Sequence, residues 1–235
     1  SKKNFVDGFD KNKKPKPGQL FFSRSEEIVE HTFDCLCKND TPDIVLISGD
    51  LTYNGERTSH DEMKAALKKL QQKGKRVYVI TATHDYTTPR MPTYGIDKND
   101  KYIEVESVKR TQLLKYYGDF GYNNAIAKHK STMSYVAQLA DGYRLFALND
   151  DYGDPDCGFS DELMNWVKTE ANNAKRDGQY IIAMTHHPLV PPSPIYTAVA
   201  KGDMLNDYEL RSKQLSDLGF DFVLTGHTHM HNISY

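Results

Sequence analysis

The chain reads as α/β with mixed sheets, and three observations carry that prediction. The aliphatic run Asp43–Ser48 breaks at Gly49 and Asp50, the pattern of a strand buried on both faces. A helical pattern and a second such run, Arg76–Thr81, follow it, which makes a parallel strand–helix–strand unit with a right-handed crossover. Further on, the strand-like runs Thr132–Leu139 and Tyr143–Asn149 flank Asp141-Gly142, a two-residue hairpin signal. An antiparallel pair in such a chain calls for a mixed sheet, or a second sheet stacked on the first.

Taken in order, residues 1–22 are rich in Lys, Asn, Pro and Gly and read as an irregular arm. Residues 23–235 read as one domain, within the size one core can serve. Ser23-Arg24-Ser25-Glu26 matches a capping box ahead of a helix with Ile28, Val29, Phe33 and Leu36 at helical spacing. Ser59-His60-Asp61-Glu62 predicts the start of a second helix that turns Met63, Ala66, Leu67 and Leu70 inward and stops at Lys73-Gly74-Lys75. Thr87–Tyr102 is a long Pro/Gly/Asp-rich loop of functional length, and a helix is expected over Val105–Tyr117. Ser160 opens a helix with Leu163, Trp166, Val167 and Ala171 on its apolar side. The strand Tyr180–Thr185 runs into His186-His187-Pro188, and Pro188–Pro194 is extended because proline breaks helices. A short helix over Glu209–Leu218 and a strand over Phe220–Thr225 lead to Gly226-His227-Thr228-His229.

Composition excludes several classes. A formal net charge of -2 is not that of a dedicated nucleic-acid binder. No apolar run approaches the roughly 20 residues of a membrane helix. The 3 cysteines form no disulfide framework, since Cys35 and Cys37 point to different faces of a helix and Cys157 lies in a Gly/Asp-rich loop. No secretory leader is visible; compartment and oligomeric state are left open.

Chemistry is concentrated where strands end. Asp50, His84-Asp85, His186-His187, and His227 with His229 each follow an aliphatic run. Ligands of α/β sheets bind at that edge. Asp50 alone would serve equally as a helix cap, and a single histidine is usually structural, but four such ends together point to a shared metal or hydrolytic site. Carboxylates and imidazoles suit borderline transition metals. In an extended segment His227 and His229 would share a face, with Gly226 permitting close approach. A pair of ions roughly 3.5–4 Å apart, bridged by a carboxylate, could be served this way. His31, His60, His129 and His231 read as surface residues, Trp166 as core, and Tyr86, Arg90 and Tyr94 as pocket-shaping or simply solvated loop residues.

Ser48-Gly49-Asp50-Leu51-Thr52, Ala82-Thr83-His84-Asp85, His186-His187-Pro188 and Gly226-His227-Thr228-His229, in that order, resemble the calcineurin-like metallophosphoesterase family from about Phe22 onward. The resemblance implies a β-sandwich of mixed sheets flanked by helices and a dinuclear site for divalent Mn, Fe or Zn. It makes Asp50 the bridging carboxylate, His186 and His227 ligands of the second metal, and His229 a ligand of the first. It makes His84 the acid that protonates the leaving oxygen, positioned by Asp85, and leaves His187 non-ligating. Two departures stand out. Thr83 occupies the slot of a metal-binding asparagine and is a weaker ligand. The family's Asp-any-His motif is matched neither by Asp7-Gly8-Phe9 nor by Asp10-Lys11-Asn12, so it is expected upstream of Ser1, and the family continues beyond His229. Two metals are therefore expected in the intact protein, and one or none in this chain. The leading expectation is a phosphoester hydrolase using metal-activated hydroxide, its substrate class open. The alternatives are a binding scaffold with a decayed metal site, or a single-metal hydrolase of another type.

Overall fold

Two sheets stack face to face in the computed structural model, which describes residues 24–89, 92–96, 99, 102–151 and 156–234. In the first sheet β1 (Ile44–Ser48) pairs in parallel with β2 (Arg76–Ile80), Ile44 opposite Arg76 and Ser48 opposite Ile80. Helix α2 (Arg57–Gln72) makes the crossover between them. A small hairpin of β3 (Tyr94–Ile96) and β4 (Tyr102–Glu104) stands apart. The second sheet is mixed, in the order of the chain: β5 (Ala127–His129), β6 (Ser134–Ala140), β7 (Tyr143–Ala147), β8 (Tyr180–Met184) and β9 (Phe222–Leu224). Its first three strands run antiparallel and its last three parallel. The predicted hairpin is the β6–β7 turn, where Gly142 takes a φ of +78°.

Alternation along the strands builds the layers. Tyr78 and Ile80 of β2, Tyr135 and Ala137 of β6, Leu145 and Ala147 of β7, and Met184 of β8 face inward and fill the space between the sheets. The intervening Val77 and Val79 face outward onto α2 (Leu67, Leu70), Phe33 of α1 (Ser25–Lys38) and the short α3 (Leu113–Tyr117). On the far side Phe146, Ile181 and Ala183 meet Leu163, Val167 and Ala171 of α4 (Asp161–Arg176), and Leu215 of α6 (Tyr208–Asp217). The short α5 (Tyr196–Val199) lies past the proline-rich stretch. The result is helix, sheet, sheet, helix, each buried Leu, Val, Ile or Phe side chain contributing about 1.5–3 kcal/mol. None of the described helices is long and apolar enough to cross a membrane.

Several local expectations needed correction. Ser23, like the arm over 1–22 and Arg90, lies outside the described residues, and at Arg24 no side chain caps α1. Helix α2 starts at Arg57, ahead of the box at Ser59; Glu56 precedes it and folds its carboxylate back onto the amides of Tyr53 (3.1 Å) and Asn54 (3.0 Å). Over Val105–Tyr117 only the last five residues are α-helical. The part before them is tied to the β1–α2 loop: Arg57 N donates to Glu106 O (2.9 Å) and Val108 N to Gly55 O (2.8 Å). The expected helix at Ser160 is present, with Ser160 Oγ accepting from Leu163 N at 3.1 Å. His60 and His129 are buried, unlike the exposed His31 and His231.

Candidate metal centre

The carboxyl ends of both sheets meet at one seam. Strand β1 leaves through Gly49 (φ +94°) into Asp50, itself left-handed at φ +54°. A Cβ on Gly49 would sit 2.6 Å from Ala82 Cβ and 3.2 Å from His186 Nδ1, so only glycine lets this loop approach its neighbours. Across the seam, His186 Nδ1 lies 2.7 Å from Ser48 O. A carbonyl can only accept, so Nδ1 carries the hydrogen and Nε2 of the neutral ring presents its lone pair. That Nε2 is 3.2 Å from Asp50 Oδ2 and 3.2 Å from His227 Nδ1. Gly226 makes this possible, since a Cβ there would lie 2.7 Å from Ser48 Oγ and 3.4 Å from His186 Nδ1.

A third imidazole adjoins the pair. The His187 ring centroid is 4.4 Å from that of His227 and 5.0 Å from that of His186. One nitrogen of each of the three rings lies within 4.8 Å of those of the other two. Beneath them Asp150, fully buried, accepts at Oδ2 from Thr185 Oγ1 (2.7 Å), His186 N (3.1 Å) and His187 N (2.7 Å). Its Oδ1 faces His187 Nδ1 at 3.3 Å.

The Thr83–Asp85 turn closes the other side. His84 N donates to Asp50 Oδ1 (3.1 Å), and His84 Nδ1 bonds Tyr53 O, with Asn54 Oδ1 at 3.3 Å. Asp85 is fully buried and accepts from Leu51 N (2.6 Å), Thr52 N (3.1 Å) and Ala82 N (2.8 Å). It clamps the loops after β1 and β2 together rather than touching the His84 ring. Below it, His60 Nε2 reaches Asp85 O at 3.0 Å.

Charge is strongly organised here. Burial works to raise the Asp50 carboxyl, but the hydrogen bond and charge of His186 outweigh it and leave it below its ordinary value. Burial likewise opposes a proton on His186, and Asp50 overrides it upward. For His187 burial is overcome by Asp150 and by Cys157 beside it, which lift the imidazole to about 10. His227 is driven down to about 4, first by burial and then by the two neighbouring imidazoles. Burial and the Asp50 charge push Asp85 up to about 8.

The calcineurin-like phosphoesterase model matches residues 22–231, nearly the whole chain. The chain belongs to this family. Its members are hydrolases of phosphoester bonds. Among solved structures the chain is similar to a dimetal phosphatase from Danio rerio, at 11% identity, with 94% of this chain and 76% of that one covered and a TM-score of 0.61; the likeness is one of fold. No curated protein matches it in sequence.

Of the residues in the calcineurin-like motifs, the fold brings Asp50, His84, Asp85, His186 and His227 to one seam. His229 is not joined to them. The i, i+2 argument assumed extended backbone, whereas His227 and His229 are left-handed at φ +65° and +53°. His229 is exposed and, among the described residues, makes no hydrogen bond or ion pair. Thr83 is half-buried at the start of its turn. Tyr86, expected in a pocket or solvated loop, is instead buried with its hydroxyl on Arg110 (2.6 Å). Sequence reading missed Asp150, although it ends β7 after Leu145–Leu148 and so carried the same strand-end signal. It also missed His60 under the Asp85 turn, which no periodicity would have marked.

Proposed function

We propose that this chain is a metal-dependent phosphoester hydrolase. In this reading Asp50, His186 and His227 would hold a divalent ion of Mn, Fe or Zn, and a second ion would draw on Asp50 and on His229, which stands exposed beside the seam. Thr83 offers a weak hydroxyl where the family has an amide. The supporting observation is the meeting of Asp50 Oδ2, His186 Nε2 and His227 Nδ1, with His186 Nε2 3.2 Å from each of the other two. Donor atoms bonded to one such ion at about 2.0–2.2 Å stand roughly 3 Å apart. With Nδ1–H of His186 on Ser48 O, Asp50 Oδ2 and His186 Nε2 are both acceptors that would repel without a cation or a proton between them, so the residues present fit a metal.

When bound, the divalent ions supply Lewis-acid charge and an activated nucleophile at neutral pH. The chain supplies the rest. Asp50 Oδ1 on His84 N fixes the acid relative to the ligand set. The bond from His84 Nδ1 to Tyr53 O leaves Nε2 as the nitrogen that gives the proton to the departing oxygen. Asp85 holds both loops in place for this.

The test is turnover of a chromogenic phosphodiester and a chromogenic monoester with Mn²⁺ added. Activity should depend on the ion, and His84→Ala should lower kcat by about 10²–10⁴-fold while leaving metal content unchanged. Metal bound without turnover would support the second reading, a binding scaffold for phosphoesters, which the Thr83 hydroxyl favours. No metal bound at all would remove the hydrolase reading.

A further inference from the structure

His187 has no part in the function proposed above, yet the fold spends a buried carboxylate on it. Its side chain is 2% exposed. Its ring stands 4.4 Å from that of His227 and 5.0 Å from that of His186. Its Nδ1 and Asp150 Oδ1 are both buried and without another hydrogen-bond partner, facing each other at 3.3 Å. We propose that His187 is a third imidazole ligand of the cation at this seam, presented by Asp150. The proposal rests on the reading of the seam as a metal centre.

First, a histidine that ligates a metal almost always gives its other N–H to a carboxylate or carbonyl, which sets the tautomer and aims the ring. Nδ1–H on Asp150 Oδ1 pairs both orphaned atoms, and a metal at Nε2 would displace the second proton that Asp150 and Cys157 otherwise favour on this ring. Second, Asp150 grips the same turn through its other oxygen, bonding His186 N and His187 N at 3.1 and 2.7 Å. One carboxylate thus orients two adjacent imidazoles, while Ser48 O performs the matching service for His186. Third, a weak hydroxyl at Thr83 leaves the centre short of a donor, and a nitrogen from His187 makes good that deficit with a ligand that suits the same metals.

The experiment uses the full chain and Co²⁺ as probe, read by visible absorption and equilibrium dialysis. His187→Ala should weaken cobalt binding about 10–100-fold and change the absorption band, and Asp150→Asn should weaken it in the same direction. Imidazole added to His187→Ala should restore the band, which no purely structural role would allow. If the alanine variant does not fold, His187→Gln keeps the bulk without an imidazole nitrogen and must show the same loss. His31→Ala, on the exposed face of α1, should match wild type. Unchanged affinity and spectrum in the folded His187 variants, with both lost in His186→Ala, would overturn the ligand assignment and leave the hydrolase reading standing. Wild-type protein that takes up no cobalt would overturn both.

Discussion

Gly49 carries two constraints that can be separated by mutation. Its φ of +94° disfavours any side chain, and the Cβ of an alanine would meet Ala82 Cβ at 2.6 Å. Gly178 has a similar φ, +69°, with nothing within 4 Å. Gly49→Ala should therefore cost about 2–4 kcal/mol, combining backbone strain with overpacking. Gly178→Ala should cost only about 1–2 kcal/mol; urea unfolding of the pair measures the difference, and equal losses would mean the contact at Gly49 is harmless. His60 offers a test in pH. It is fully buried, with Nδ1 on Tyr117 Oη at 2.6 Å and Nε2 on Asp85 O at 3.0 Å. Burial holds it down to about 4 from its ordinary 6.5. The unfolded chain takes up this proton first, so stability is full above pH 6.5 and falls as pH drops from 6.5 towards 4, by up to about 3 kcal/mol. Denaturant midpoints across that window should fall less steeply in His60→Gln than in wild type; parallel curves would show that His60 is not the group responsible.

At the scale of elements, β2 shows how one hydroxyl can stand in for a strand. Val79 turns its backbone away from β1: its N–H reaches Phe120 O (3.0 Å), and its carbonyl accepts from Tyr135 Oη (3.0 Å) of the opposite sheet. Tyr135→Phe keeps the packing but leaves that carbonyl buried without its donor, which should cost about 1–3 kcal/mol. The comparison is Tyr143→Phe on an exposed ring, expected to stay within about 0.5 kcal/mol; matching losses would deny the hydroxyl its part in joining the sheets. Cross-sheet bonds of this kind are invisible in sequence, which explains where reading by pattern succeeded. Runs such as Ile44–Ser48 and Tyr180–Met184, and the Asp141-Gly142 turn, declare themselves through local chemistry. The start of α2 and the backbone of Val105–Lys109 do not, because Gly55 and Glu106 bond across the chain while Glu56 folds back onto the turn before the helix, and together they override nearby capping signals.

The whole molecule places its donors on different layers: Asp50 hangs from the first sheet, His186 and His227 from the second. That β1, β2, β8 and β9 are each followed by acid or imidazole was legible in the residues alone. That His229 stays outside the seam was not, since it depends on two left-handed residues that carry His227 inward and leave His229 exposed. A cation bound across this seam cross-links the sandwich, and because the unfolded chain has no such assembled site, binding adds to folding free energy. Saturation with Mn²⁺ or Zn²⁺ at about 100 times its Kd should stabilise the protein by about 2.7 kcal/mol, raising Tm by roughly 5–10 °C for a chain of this size, and a chelator should reverse it. Because the proposed ligand set spans both layers, Asp50→Ala on one sheet and His186→Ala on the other should each abolish the gain in calorimetry. A gain that survived Asp50→Ala would mean the second sheet holds the ion by itself, and the seam would then owe its stability to packing rather than to a shared charge.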